Sequence, residues 1–201
     1  MKQCTMESMA QSSDSDDLDR KDMMQLAGGN DTGLNRLMER HGDRILHYLM
    51  RILQHEQDAL DLAQETFVRV FTHRSRFRSG GKFSTWLFSI ATNLARDQMR
   101  WRARHPNISF PNADESECPE NAGRELGPFE RVRNVEEAEL VREAVQELPE
   151  ALRIPLVLAE YERKTQKEIA TVTNCSPKAV EMRIYRARKE LREKLVKVIK
   201  L

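Results

Sequence analysis

The stretch that most constrains this chain is TQKEIATVTNCSPKAVEMRIYRARK, Thr165 to Lys189. Its apolar spacing predicts two helices with a tight break between them. Gln166 to Val172 is the first, with Ile169 and Ala170 as its buried side, and Thr173-Asn174-Cys175 is the break. Ser176 offers a side-chain oxygen to cap the next helix. Pro177 follows at the first helical position, where its missing N–H costs nothing. The second helix carries Val180, Ile184, Ala187, Leu191 and Leu195 along one stripe. Lys178, Ala179, Met182, Tyr185, Arg186 and Lys189 lie on the opposite face. A short helix, a turn and a longer helix with a basic outer face is the pattern that puts a recognition helix into the DNA major groove. An ordinary helical hairpin with a solvated basic face has the same periodicity.

The rest of the chain reads as helix too. Gly and Pro are sparse, at 8 and 7 of 201 residues, and strand-like alternation is absent, so the class is all-α. Charged residues make up 32% of the chain, yet the net charge is only +1, because the charges are segregated. Acids dominate before Leu18 and again from Ile108 to Glu147. Bases gather at Arg96 to Arg104 and at Lys178 to Lys200. Two separated basic patches point to two separate contacts with a polyanion. Cys4, Cys118 and Cys175 stand at no disulfide or metal-ligand spacing, so no metal site and no cofactor are expected, and a reducing cytoplasm is the natural setting. The N-terminus lacks the apolar core of a signal peptide, and no apolar run approaches the length that spans a bilayer.

Taken in order, residues 1–16 have no periodicity and read as a disordered tail. Asp17 to Ala27 suits a short helix with Leu18, Met23 and Leu26, stopped by Gly28-Gly29. Asp31 or Thr32 then caps a longer helix to about Gln54, with Leu34, Leu37, Met38, Ile45, Leu49 and Ile52 at helical spacing. The next helix, Glu56 to His73, has Leu60, Ala63, Phe67, Val70 and Phe71 as its core stripe. Asp61, Gln64 and Glu65 project together on another side. No nucleophile, metal ligand or pocket-forming loop accompanies these acids, so they read as a docking face and no catalytic residue is expected.

The turn from Arg76 to Lys82 mixes aromatic, basic and glycine residues before a helix from Phe83 or Ser84 to about Arg104. That helix buries Trp86, Leu87, Ile90, Ala91 and Leu94 and turns Asn93, Arg96, Asp97 and Arg100 outward. Rings that stack on bases and cations that hold phosphates suit unpaired nucleic acid; Phe77, Phe83 and Trp86 also fit as core, and for Trp86 the core is the better reading. His105-Pro106 ends the helix. Residues 106–134 are rich in Pro, Asn, Gly, Ser and acid and form a linker. A second helical domain, 135–201, then holds an amphipathic helix ending at Leu148-Pro149, a helix from Ala151 to Tyr161, and the two-helix motif. The first domain is accordingly 17–105.

At this point the sequence resembles a known family. DALDLAQETFVRVF and FRSGGKFSTWLFSIATNLARDQMR in the first domain, and ELPEALRIPLVLAEYERKTQKEIATVTNCSPKAVEMRIYRARKEL in the second, are similar in order and spacing to regions 2 and 4 of an extracytoplasmic-function (group IV) sigma factor of the sigma-70 family. The resemblance implies a region 2 helical bundle and a region 4 helix-turn-helix joined by the acidic linker. It implies that Asp61, Gln64 and Glu65 dock on core RNA polymerase. It places Phe77, Arg78, Ser79, Gly80, Gly81, Lys82 and Ser84 in the loop that captures a flipped base of the melted downstream promoter element. Asn93, Arg96, Asp97 and Arg100 fall at that element's upstream edge. Ser176, Pro177, Lys178, Ala179, Glu181, Met182 and Arg183 match the head of the helix that reads the upstream element, with phosphate contacts from Gln166, Lys167, Arg186 and Arg188. An anti-sigma factor is the usual regulator such a protein implies.

The sequence departs from the family pattern at Glu181, where many members have Lys or Arg, at Met182, where many have a small polar residue, and at Leu60, which replaces a frequent acid. Asn174 stands where Gly is common, and Asn accepts left-handed backbone angles. Two other classes remain as alternatives. A stand-alone helix-turn-helix regulator would need a ligand-binding, phosphoacceptor or dimerising domain, and residues 17–105 look like none of these. A nuclease would need clustered ligands, whereas the five His are scattered.

Overall fold

The computed structural model describes residues 3–78, 80–105 and 139–199, with side-chain surroundings from residue 15 to residue 196 within those spans. The described residues hold helices and turns and no strand. The first half comprises α1 (Gln3–Ala27), α2 (Thr32–Leu53), α3 (Glu56–Thr72), a single 3-10 turn (Arg74–Arg76) and α4 (Phe83–Arg104). The second comprises α5, helical over residues 139–146, then α6 (Glu150–Glu160), α7 (Gln166–Thr173) and α8 (Pro177–Ile199). The linker expected at 106–134 lies outside the described residues.

α2 is the spine of the first half. Leu37, His41, Ile45, Tyr48, Leu49 and Ile52 recur at three- and four-residue spacing and are all buried, as one helix face requires. Tyr48 crosses to α4, where its hydroxyl lies 2.7 Å from Thr92 Oγ1 and its ring meets Phe88 edge-on at 5.1 Å. α2 begins hard against α1: a Cβ on Gly33 would stand 2.4 Å from the Asp22 carbonyl oxygen, so only glycine fits. Its cap differs from expectation. The Asp31 side chain makes no capping bond; Asn30 Oδ1 instead accepts from the Thr32 N–H at 3.1 Å and from its hydroxyl at 2.7 Å.

α1 corrects the reading of residues 3–16 as a disordered tail, since the helix already begins at Gln3. No Gly or Pro interrupts the chain before Gly28, and Asp16 is tied to Lys82 at 3.2 Å. The buried face of α1 is partly acidic. Asp19 and Asp22 are 1% and 4% exposed, beside Met23 and Leu26, while Leu18 faces outward. Arg40 of α2 holds both acids, at 3.0 and 2.5 Å, Arg36 holds Asp22 at 2.7 Å, and His41 Nε2 lies 2.8 Å from Asp19. Burial pulls the Asp22 carboxyl up, but the two guanidiniums outweigh it and hold it below the usual carboxylate range. Buried acids persist only with such partners.

On α3 the buried stripe is Ala59, Thr66, Phe67 and Val70. Leu60, expected in the core, faces outward, as does Met38 on α2. In the second half, α6 buries Leu152, Ile154, Pro155, Leu156, Val157 and Leu158 against α7 and α8. Thr165 and Glu168 form a reciprocal capping box at the start of α7. Asn174 ends α7 at φ 52°, ψ 53°, the left-handed conformation expected of it. The Ser176 hydroxyl accepts from the Ala179 N–H at 3.2 Å, as a cap for α8. The two halves are packed together: α4 lies along α7 and α2 along α6, and one apolar cluster runs from Met23 to Ala187.

Candidate nucleic-acid interface

Three groups of residues singled out in the sequence occupy three different settings. On α3, Asp61 and Gln64 are exposed, while Glu65 is half-buried and paired with Arg69 at 2.9 Å, one turn on. Asp61 accepts a hydrogen bond from Gln57 Nε2, at 3.2 Å. The face is open to solvent, with Leu60 and Val68 exposed on the same helix.

The loop before α4 is different. Arg78, Gly80, Gly81 and Lys82 are exposed, and the Gly81 N–H closes a turn on the Arg78 carbonyl at 3.0 Å. Ser79 lies outside the described residues. Phe77 is not a free stacking platform: its ring packs on Trp86 at 5.5 Å and on Phe83 at 6.1 Å, an aromatic cluster that fixes the loop to the bundle. Trp86 is partly buried, in line with the core reading. Phe77, Arg78, Gly81, Lys82 and Trp86 line one wall of a crevice of about 550 Å³, and α7 supplies the other through Lys167, Glu168 and Thr171.

The cross-half contacts involve residues expected to meet DNA. Ser84 is buried and accepts from Lys164 Nζ at 2.7 Å. That ammonium also sits 5.0 Å from the centre of the Phe88 ring, and burial pulls its pKa down to about 8. Arg96 pairs with Glu150 at 2.9 Å and donates to the Thr173 carbonyl at 3.4 Å, at the C-terminal end of α7. Arg44 pairs with the buried Glu162 at 3.1 Å, and Arg153 donates to the Ile52 carbonyl at 2.9 Å. Asn93 stays exposed, and Asp97 and Arg100 pair with each other on the outer face of α4.

The outer face of α8 is open to solvent. Ser176, Pro177, Lys178, Glu181, Met182, Arg186 and Arg188 are exposed, Ala179 and Arg183 half-buried. Lys178 pairs with Glu181 at 2.9 Å and Arg188 with Glu160 at 2.6 Å, both near the surface. Gln166, Glu181, Met182, Tyr185 and Arg188 line a shallow groove of about 360 Å³ between α7 and α8. Lys167 stands away from it, on the crevice side. The sequence reading missed Glu150, Glu162 and Lys164. Each lies at or near a helix end with no periodic signal, and only its partner far along the chain gives it meaning.

Among the described residues no group of His, Cys, Asp and Glu is arranged to hold a metal ion, and no helix is long and apolar enough to cross a membrane. Family models match both halves: Sigma-70 region 2 over residues 37–105 and Sigma-70, region 4 over residues 138–191. The RNA polymerase sigma-H factor of Pseudomonas aeruginosa is 34% identical over 166 residues, covering 81% of this chain and 86% of that protein. The ECF RNA polymerase sigma-E factor of Escherichia coli is 30% identical over 175 residues, covering 86% and 91%. Among solved structures, CnrH in complex with the cytosolic domain of CnrY matches with a TM-score of 0.66 at 29% identity, over 89% of this chain and 97% of that one. With both matched regions in order and relatives aligned over most of their length, the chain belongs to the sigma-70 family, as an extracytoplasmic-function (ECF) sigma factor.

Proposed function

We propose that this protein binds core RNA polymerase and directs it to a specific class of promoters, acting in the cytoplasm and performing no bond chemistry itself. In this reading residues 17–105 bind polymerase through Asp61, Gln64 and Glu65. They hold melted DNA through the 77–84 loop together with Asn93, Arg96, Asp97 and Arg100. Residues 106–134 are the linker. Residues 135–201 read the upstream element with the head of α8, from Ser176 to Arg183, and with Gln166, Lys167, Arg186 and Arg188 on phosphates. The observation that carries the reading is the pair of matched regions in their expected order, with Asp61 and Gln64 exposed on α3 and the head of α8 open to solvent. The relative CnrH was solved with the cytosolic domain of CnrY. An anti-sigma protein that engages both halves is the regulator we expect here.

Transcription in vitro with core polymerase and a promoter library tests the proposal. Initiation dependent on this protein and on core together supports it. Sequence-specific DNA binding by the protein alone, with no polymerase-dependent initiation, would favour a stand-alone helix-turn-helix regulator.

A further inference from the structure

Lys82 is held from two sides. Its Nζ lies 3.2 Å from Asp16 Oδ2, on α1, and 3.3 Å from Glu168 Oε1, on α7. These carboxylates come from opposite ends of the chain, and both are mostly buried, their side chains 22% and 16% exposed. Glu168 is aimed by local structure: its other oxygen accepts from the Thr165 N–H at 2.8 Å and from the Thr165 hydroxyl at 2.7 Å. The capping box thus fixes one carboxylate oxygen and leaves the second facing Lys82. Burial alone would pull Lys82 down, but the two acids outweigh it and raise it, so the ammonium stays charged. Two residues on, Ser84 is occupied by Lys164.

We propose that Asp16 and Glu168 are internal phosphate surrogates: they occupy the ammonium of Lys82, so that single-stranded promoter DNA and the packed arrangement of the two halves compete for one cation. The inference rests on reading 77–84 as the melting loop. A carboxylate and a phosphate present the same charged oxygen to an ammonium, and with two of its three N–H donors turned to Asp16 and Glu168, Lys82 offers a phosphate less than a free ammonium would. Asp16 gives α1 a part in DNA binding that neither matched region assigns, since the region 2 match begins at residue 37.

The test uses the full-length protein without polymerase and a short single-stranded oligonucleotide of randomised sequence, with binding read by fluorescence anisotropy. Glu168→Gln keeps the capping geometry, because glutamine also serves at that position, and Asp16→Asn is nearly isosteric. The double variant is expected to bind roughly threefold to tenfold more tightly, the scale of one or two partly exposed ion pairs. Removing any acid weakens general repulsion of DNA, so Asp43→Asn, an exposed change on α2, sets the baseline. The decisive comparison repeats the double substitution in a Lys82→Ala background, where the gain should fall to that baseline. A gain no larger than that of Asp43→Asn, or one that persists without Lys82, overturns the proposal. The two levels of failure separate. If, with both acids replaced, Lys82→Ala leaves oligonucleotide binding unchanged, the melting-loop reading fails and the competition with it. If Lys82→Ala weakens binding but the acid substitutions give no gain, only the competition fails.

Discussion

The two surfaces assigned to promoter DNA are in opposite states. The head of α8 is open, with Met182 41% and Tyr185 64% exposed, and α8 packs on α6 and α7. The surface around the 77–84 loop is partly engaged: Arg78, Gly80 and Gly81 are exposed, but Ser84 is 7% exposed, Lys82 is bracketed by two acids, and Arg96 is engaged by Glu150 and the end of α7. Both surfaces are basic in sequence. They differ because α7 carries a carboxylate on the side that faces α4, whereas α8 points its cations away from the packed core. In this arrangement the head of α8 lies open to solvent, whereas Ser84 and Arg96 are already engaged by residues of the second half. Under the proposed function, Ser84 and Arg96 become available to melted DNA when these contacts between the halves open.

The largest expected effect lies outside both surfaces and asks whether polymerase uses a third. Asp61→Lys with Glu65→Lys should weaken core binding about a hundredfold or more, the scale of placing like charges face to face, with helical circular dichroism unchanged. Unaltered core affinity would remove α3 from the docking face.

Replacing residues 79–82 with a neutral linker breaks the comparison from the covered side. Promoter opening, read by permanganate footprints of the melted region, should fall by roughly an order of magnitude, while closed-complex binding changes little. Footprints that survive would move base capture elsewhere.

The open side is sharpened by Glu181. Its salt bridge to Lys178 is an exposed pair one turn long, worth little on its own. A carboxylate at the head of a recognition helix can also accept from cytosine N4. Glu181→Arg should then change preference at one base position by about 1–3 kcal/mol, whereas Arg186→Ala should weaken all promoters alike and lessen the salt dependence. Identical sequences selected from a randomised upstream element by wild type and Glu181→Arg would reduce Glu181 to a surface charge.

The smallest effect is a pH dependence of the packing between the halves. Burial pulls Lys164 from the usual 10.5 to about 8, with Arg44 and Lys82 pushing the same way and Glu168 and Glu162 opposing them. A lysine whose pKa is lower in the packed state than in the separated state opposes packing while it is charged. Packing should therefore strengthen as pH rises from about 8 towards 10.5. Energy transfer between dyes on α3 and α8 should report a closer pair at the alkaline end, and Lys164→Met should flatten the trend.

What the sequence determined by itself is local. The 3.6-residue periodicity of α2, the left-handed Asn174 and the Ser176-Pro177 start of α8 each depend on residues within one or two turns, so each was legible before any fold was known. Faces were legible too: Asp61 and Gln64 on α3 and Met182 on α8 do project outward. What covers a face was not. Leu60 fits the α3 stripe by spacing, yet its neighbours in space leave it exposed. Asp19 and Asp22 look like a solvated acidic face, yet Arg36 and Arg40 bury them. Lys82 and Ser84 look like free loop groups, yet α7 and Lys164, 80 or more residues away, have already taken them. Periodicity fixes the direction of a side chain relative to its own helix. Its partner is set by how the helices pack, and a buried charge answers to that partner alone, because only the partner replaces the water it has lost.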